Sequence, residues 1–496
     1  MIEHAPVLVI ALPIVGGALP LLLGLFTDRV GWPIATLTLL GQTALAVALG
    51  ASVYDGGAVS YVPGGFVAPY GIELVVDGLS AAVLVLIAVV SLGVLAYARH
   101  AGPHTDSFYG QYLLLVAGLT GMTVTGDVFN LYVFLEITGL AAYGLVASGR
   151  EASAAVAALK YLIIGTIGAS LYLLGAGYLL VATGTLNMAD LAVKLAEAGY
   201  GSTLVVTAFG LMAGGLAVKV ALYPLHTWQP DAYATAPDSV STLISALVST
   251  VAAYGLARLL FSVFTLDFFA AVPIAQTALL AVAAVSIVAG SLLAVAQSDV
   301  QRMLAYSSVS QFGLVIAGFA VGTQAAITGA LLHLVGHAVM KGGLFAATGI
   351  VERVTGARRI GEYDGLGKRA PVAAACIAVL LFAMVGVPPA VGFVGKWYIV
   401  VCAVEAGTWS LVVVLLASTL LTLAYFARLF ERMYFTAPPS ASTEDVTPVP
   451  DGGDERDAVS VGMLAVVVAA ALLALALGGA APLVEQIVEQ TVATFP

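Results

Sequence analysis

Six side chains able to carry or pass on a proton stand inside apolar runs of this sequence: Glu136, Lys219, His333, His337, Lys341 and Lys396. A charge at the centre of a bilayer costs at least about 2.5–3.5 kcal/mol on insertion scales, and ionisable groups found there are functional by default. His333, His337 and Lys341 are spaced i, i+4, i+8, so on a helix they form one stripe about 12 Å long. Imidazole both donates and accepts near neutral pH, so with water between its members such a stripe can relay protons. Glu136 has no charged neighbour in NLYVFLEITGLAAYG, so it must either hold its proton or find a cation; Lys219 is the obvious partner. While Glu136 is ionised, Lys219 is held protonated. Neutralising Glu136 frees the lysine to pass its proton on, and groups coupled in this way titrate as a system. Blander readings of the same residues are a static ion pair that locks helices together and histidines satisfied by carbonyls. A metal centre is the weakest reading, because a third ligand is missing.

Around these six stand secondary candidates. Asp127 and Asp299 open two apolar runs, while His226, Asp231 and Asp238 flank a Pro-interrupted segment and are placed to form an inner mouth. Lys160 lies near one interface, within reach of snorkelling. The hydroxyl-rich stretch Tyr306, Ser307, Ser308, Ser310 and Gln311 either lines a second pathway or packs helices together.

The elements that must position these groups are membrane helices. The chain has 496 residues, is 61% hydrophobic and 9% charged, and has a mean hydropathy of +1.05; soluble domains carry about 25% charged residues. No basic n-region or small-residue cleavage site follows Met1, so residues 6–26 read as the first span rather than a removable signal. The two cysteines, Cys376 and Cys402, lie in apolar runs. They cannot supply a four-thiolate cluster, and no phosphate-binding loop is present. Redox chemistry and nucleotide hydrolysis inside this chain are therefore not expected. No cofactor, metal or nucleic-acid partner is expected either. The reading is a transporter component without catalytic chemistry of its own. The net charge is −10, with much of the acid in residues 444–457.

Runs long enough to span, about 20 residues, fall at 6–26, 31–53, 77–98, 111–126, 128–149, 157–182, 202–222, 239–263, 273–296, 302–321, 324–350, 370–403, 409–435 and 458–480. With the N-terminus outside, the inner loops and helix ends hold twelve basic residues, from Arg29 to Arg456, and the outer loops hold Lys194 alone. That asymmetry predicts an all-α polytopic protein of about 14 spans with both termini outside. Arg258, late in the eighth span, is expected to snorkel to the outer interface. Residues 54–76 read as a small hairpin, 186–198 as an amphipathic interfacial helix, and 436–457 as a disordered acidic linker.

The chain also repeats itself. GDVFNLYVF (126–134) resembles SDVQRMLAY (298–306), and LKYLIIGTIGASLYLLGAG (159–177) resembles LHLVGHAVMKGGLFAATG (332–349), at offsets of 172 and 173 residues. Five spans separate corresponding points, so the second copy must run the opposite way. Spans 4–8 and 9–13 then form an inverted repeat, an arrangement of transporters with sites near the midplane. The expected units are 1–110 (spans 1–3 with the outer hairpin), 111–263, 273–435, the linker 436–457, and 458–496 with the last span. Spans 7 and 12 should be broken helices. Pro224 interrupts one, GVPPAVGF (386–393) interrupts the other, and each carries a lysine, Lys219 and Lys396.

Several of these stretches together resemble the antiporter-like subunits shared by Mrp-type sodium/proton antiporters and the membrane arm of respiratory complex I. The matching pieces are GDVFNLYVFLEI, VKVALYPLHTWQPDAYATAP, SDVQRMLAYSSVSQFG, LLHLVGHAVMKGGLF and GVPPAVGFVGKW, covering about residues 70 to 430. TGTLNMADLA (183–192) and a lysine at 396 look most like the MrpD branch of that family. The resemblance implies that Glu136 and Lys219 form a first half-channel pair. It makes His333, His337 and Lys341 a connecting axis, and Lys396 the lysine of a second half-channel. The family usually has a further lysine in the eighth span, where this sequence places Thr250. A hydroxyl cannot carry that charge. The implied activity is monovalent cation/proton antiport in the cell membrane, in a complex with other membrane subunits. The alternative is proton pumping in a redox-driven complex, NADH-quinone oxidoreductase or a membrane-bound hydrogenase, where the chain would be classed as a translocase. A scaffold that has lost transport is a third possibility, supported by Thr250 alone.

Overall fold

The structure is a computed structural model that describes residues 2–480 and 482, apart from 28, 67, 150 and 439–458. The acidic segment 439–458, and with it nearly all of the expected linker, lies outside the described residues. In lipid every backbone polar group must be satisfied within its own segment, and the apolar runs are accordingly helical. Before the repeats come α1 (Ala5–Leu23), α2 (Gly31–Gly56), the antiparallel strands β1 (Val59–Tyr61) and β2 (Leu74–Val76), and α3 (Gly78–Ala101). The first repeat holds α4 (Asp106–Val124), α5 (Val128–Ala147), α6 (Ala152–Thr183), α7 (Met188–Ala198), α8 (Thr203–Val220), α9 (Gln229–Thr235) and α10 (Asp238–Arg258). A π-helical turn, Leu259–Phe264, and α11 (Thr265–Ala271) lead into the second. There follow α12 (Pro273–Val295), α13 (Val300–Val321), α14 (Gln324–Thr355), α15 (Leu366–Arg369), α16 (Pro371–Val385), α17 (Val391–Glu405) and α18 (Trp409–Phe435), and last α19 (Val461–Gly479).

Among the described residues, twelve helices are long and apolar enough to cross a membrane. The two further spans expected from the sequence correspond to α4, which opens on polar residues, and to α16 with α17. Those two are 15 residues each because the chain breaks between them. The hairpin forms as expected. Helix α7 is amphipathic, burying Met188, Leu191, Ala192 and Leu195 at the i, i+3, i+4, i+7 spacing of one face.

The 172-residue echo is built into the backbone. Asp127 caps α5 by accepting the Asn130 N–H at 2.7 Å, and it pairs as an isolated bridge with Asn187. The bridge is closed by Val128 N–H to Leu186 O (2.9 Å) and Met188 N–H to Gly126 O (2.8 Å). In the second repeat Asp299 caps α13 through the Arg302 N–H at 2.8 Å and pairs with Arg359. Val300 N–H donates to Arg358 O (3.0 Å) and Ile360 N–H to Ser298 O (2.8 Å). Every one of these residues lies 172 places beyond its counterpart. Helices α6 and α14 are both 32 residues long and start and end at that same spacing. Each bridge ties the start of one helix to the segment that follows the next.

Asp127 and Asp299, which open their apolar runs, work as helix caps at the ends of their spans. Two placements differ from the reading by sequence. The sequence echo pairs Lys160 with His333, but α6 and α14 start and end 172 residues apart, which aligns Lys160 with Leu332; the lysine is part-exposed and His333 fully buried. Arg258 does not snorkel: its guanidinium donates to Asp77 at 2.5 Å and to the Tyr254 hydroxyl at 2.8 Å. Asp77 is the cap of α3, accepting the Ser80 N–H at 2.9 Å. This pair therefore joins the N-terminal helices to the end of α10. Outside the spans, the backbone N–H groups of Arg359 and Arg358 bind Glu362 and hold its carboxyl below the usual value.

Removing one partner of a buried ion pair leaves an uncompensated charge, at a cost of about 3–5 kcal/mol. Arg258→Leu is therefore expected to lower the thermal midpoint of the purified protein clearly. The double change Asp77→Leu/Arg258→Leu should lower it less than the two single losses added together. Strict additivity would show that the two side chains do not interact.

Candidate functional site

Helix α8 ends inside the protein, and its ending sets the position of Lys219. Ala221 takes a left-handed conformation (φ 67°), Leu222 N–H closes onto Ala217 O at 3.0 Å, and the chain turns through 221–228 before α9 begins. The Trp228 indole N–H satisfies the Val218 carbonyl at 2.9 Å. Lys219 thus stands in the last turn of α8, where the negative end of the helix dipole favours a cation. The residue is 3% exposed.

Its ammonium group faces two partners on α5. Nζ donates to the Tyr143 hydroxyl at 3.0 Å and lies 3.7 Å from Glu136 Oε1. Gly139 makes this possible, since a Cβ there would stand 3.0 Å from Nζ and 2.9 Å from the Tyr143 hydroxyl. Tyr143 is held edge-on by Tyr161 (centroids 4.6 Å apart), which stacks flat on Trp228 at 3.9 Å. An aromatic column therefore runs from the break to the lysine. Sequence reasoning misses Tyr143 and Trp228, although Tyr143 follows Glu136 by seven residues and so shares its helix face.

The second group is arranged around α14, which glycines bring close to its neighbours. A Cβ on Gly395 of α17 would come within 2.6 Å of His333 Cβ. His333 Nε2 pairs with Gln311 Oε1 of α13 at 2.9 Å. His337 lies under the Phe312 ring, with centroids 4.6 Å apart. Lys341 donates to the Leu304 carbonyl at 2.6 Å and to the Ser307 hydroxyl. Ser307 and Gln311 of the hydroxyl-rich stretch therefore face this stripe.

Lys396 binds the Met384 and Val385 carbonyls at 2.7 and 3.1 Å, the last carbonyls of α16. Lys219 precedes its break and Lys396 follows its own, so the two are not repeat equivalents in sequence. Lys219 stands in the last turn of its interrupted helix with its ammonium on α5 groups, whereas the Lys396 ammonium lies on the end carbonyls of α16. Among the described residues neither Lys341 nor Lys396 forms an ion pair with a carboxylate.

The flanking residues divide. Asp231 of α9 accepts from Lys160 of α6 at 2.7 Å and from Arg302 of α13 at 2.6 Å, so one carboxylate ties the two repeats. His226 lies against Tyr223 (5.2 Å) and near Tyr306 (5.8 Å). Asp238 pairs with Arg353 at 3.5 Å, away from the break. Thr250 is fully buried, and its hydroxyl donates to the Ala246 carbonyl of its own helix at 2.7 Å. Taken together, the site offers one carboxylate–ammonium pair, a stripe of two imidazoles and an ammonium, and a second ammonium on helix-end carbonyls. These are parts for moving protons and shifting charge.

The chain belongs to the NADH:quinone oxidoreductase/Mrp antiporter transmembrane family, whose model matches residues 125–422. It is 43% identical over 463 residues to the N subunit of the NADH-quinone oxidoreductase of Desulforudis audaxviator, covering 91% of each chain. It is 32% identical over 388 residues to the D subunit of the Na(+)/H(+) antiporter of Bacillus subtilis, covering 77% of this chain and 78% of that one. Its fold is similar to a chain of the archaeal membrane-bound sulfane sulfur reductase (TM-score 0.88, 31% identity, 99% and 97% covered). A chain of the Mrp complex from Dietzia sp. is also similar (TM-score 0.87, 26% identity, 100% and 98% covered). It is a multi-pass membrane protein.

A methyl at position 139 would strike the Tyr143 hydroxyl and the Lys219 ammonium. Gly139→Ala is therefore expected to be better tolerated in a Tyr143→Phe background, by about 1 kcal/mol, in thermal unfolding of the purified protein. An identical effect in both backgrounds would mean that the methyl is accommodated without touching the hydroxyl.

Proposed function

We propose that this chain is the proton-translocating subunit of a multisubunit monovalent cation (Na+)/H+ antiporter of the cell membrane, with both termini outside. It works beside other membrane subunits, as the relatives named above do in their complexes. The observation that carries this reading is the Lys219 ammonium, which lies at a helix break between Glu136 and Tyr143. At 3.7 Å and an effective dielectric of 20, the attraction between Lys219 and an ionised Glu136 is about 4 kcal/mol. Protonating Glu136 removes that attraction, and the buried ammonium is then poised to give up its proton. Inward from the pair, His333, His337 and Lys341 receive and pass on protons. Lys396, on the α16 carbonyls, exchanges with the far side. His226 and the Asp231 group stand at the inner mouth of the first pathway, and Asp127 and Asp299 shape the ends.

Similarity to the Bacillus subtilis antiporter chain and a lysine at 396 favour antiport. A second reading, a proton-pumping subunit of a redox-driven complex, is favoured by the 43% identity to the quinone oxidoreductase chain across 91% of both.

The test uses the whole operon in inverted vesicles from an antiporter-deficient host. Dissipation of ΔpH is followed on adding Na+, K+ or Li+ to wild type, Glu136→Gln and Lys219→Ala, in equally assembled complexes. The expected outcome is cation-dependent proton efflux in wild type, reduced in both variants at least about a hundredfold. Proton movement that appears only with an electron donor would establish the redox-driven reading instead.

A further inference from the structure

A polar cluster that the pathway above does not use lies between Lys219 and the stripe on α14. Gln229, the first residue of α9, is fully buried. Its amide N–H groups donate to the Tyr233 hydroxyl and to the Ser249 hydroxyl of α10, each at 3.2 Å. Ser249 in turn donates to the backbone carbonyl of Lys219 at 3.3 Å. On the other side, the Tyr233 ring meets Phe345 edge-on at 5.6 Å, one turn beyond Lys341 on α14. The amide oxygen of Gln229 is buried and has no hydrogen-bond partner. A buried, unpartnered amide oxygen is costly unless it binds water or a proton donor.

We infer that the lateral connection between Lys219 and the α14 stripe runs through Gln229, Ser249 and Tyr233, and not through Thr250. This rests on the proton-translocating reading of the site. Thr250 occupies the place where the family resemblance implies a lysine, and its hydroxyl donates within its own helix, to the Ala246 carbonyl. Ser249 and Tyr233 also donate to backbone carbonyls, of Lys219 and Ile244, but they accept from Gln229 as well and so belong to a connected cluster. The cluster reaches from the helix that carries Lys219 to the helix that carries Lys341. Hydroxyls donate and accept at once, so Ser249 and Tyr233 can pass a proton along a chain that includes water. Gln229 is a positioning residue: its amide orients both hydroxyls, and its free oxygen fixes the water that joins them.

The test uses the assembled complex in vesicles, with whichever drive moves protons in wild type, a cation gradient or an electron donor. Four variants are compared at equal assembly on native gels: Gln229→Met, Gln229→Glu, Ser249→Ala and Thr250→Val. Gln229→Met should slow proton movement about tenfold or more and enlarge the rate difference between H2O and D2O, leaving the half-saturating cation concentration unchanged. Ser249→Ala should slow it in the same direction. Gln229→Glu loses the N–H donors but keeps the shape and offers oxygens to which both hydroxyls can donate, so it should retain more of the rate than Gln229→Met, whereas Thr250→Val should stay within about threefold of wild type. A large loss in Thr250→Val with little change in Gln229→Met and Ser249→Ala would overturn the inference. So would slow Gln229→Met and Gln229→Glu variants with an unchanged isotope effect, since the loss would then be one of packing. Full activity in Glu136→Gln would instead remove the translocation reading itself.

Discussion

An ammonium group held in a hydrocarbon layer must be given dipoles in place of water, and this constraint organises the rest of the molecule. The fold supplies those dipoles by stopping helices short. Lys219 stands in the last turn of α8, and Lys396 lies on the final carbonyls of α16. Both breaks are closed by ordinary means, a left-handed residue and an indole N–H at one, a glycine of positive φ at the other. The cost of interrupting a helix in lipid is tolerable because the interruption lies inside protein. Helices α10, α13 and α14, almost wholly enclosed by the others, make that interior.

The two ammonium sites differ in what balances them, and the difference divides the labour between them. Lys219 has a carboxylate within 3.7 Å, so its charge answers to the state of Glu136. Lys396 and Lys341 rest on carbonyls and a hydroxyl, neutral groups that cannot themselves change charge. On the proposed translocating reading, control sits at the first pair, where a proton gained or lost alters the field. The later groups follow. The Glu136 side chain is 24% exposed, so the carboxylate of this pair reaches the edge of the chain.

Much of this is legible in the sequence, for identifiable reasons. Hydropathy marks the spans because lipid forces helices, and proline marks both breaks. The spacing of His333, His337 and Lys341 places them on one stripe because helical periodicity is local. What stays hidden depends on contacts between distant residues. Arg258 reads as a snorkelling side chain because its partner, Asp77, is 181 residues away. Asp231 reads as a mouth residue, and only the fold shows Lys160 and Arg302 sharing it. Tyr143 is within reach, two turns from Glu136, but a tyrosine among apolar residues carries no signal until the lysine opposite is seen. Thr250 plainly lacks a charge, yet sequence cannot show where its hydroxyl is spent.

The two backbone clasps, at Asp127 with Asn187 and at Asp299 with Arg359, have an electrical consequence. They mark units that are built alike and cross the membrane in opposite senses. A charge that moves along the helix direction in one unit travels with the transmembrane field, and the matching displacement in the other travels against it. Paired steps in the two halves therefore cancel in voltage, and unpaired steps do not. On the proposed translocating reading, the membrane potential acts only through what the halves do differently. The carboxylate beside Lys219, with no counterpart beside Lys396 among the described residues, is such a difference.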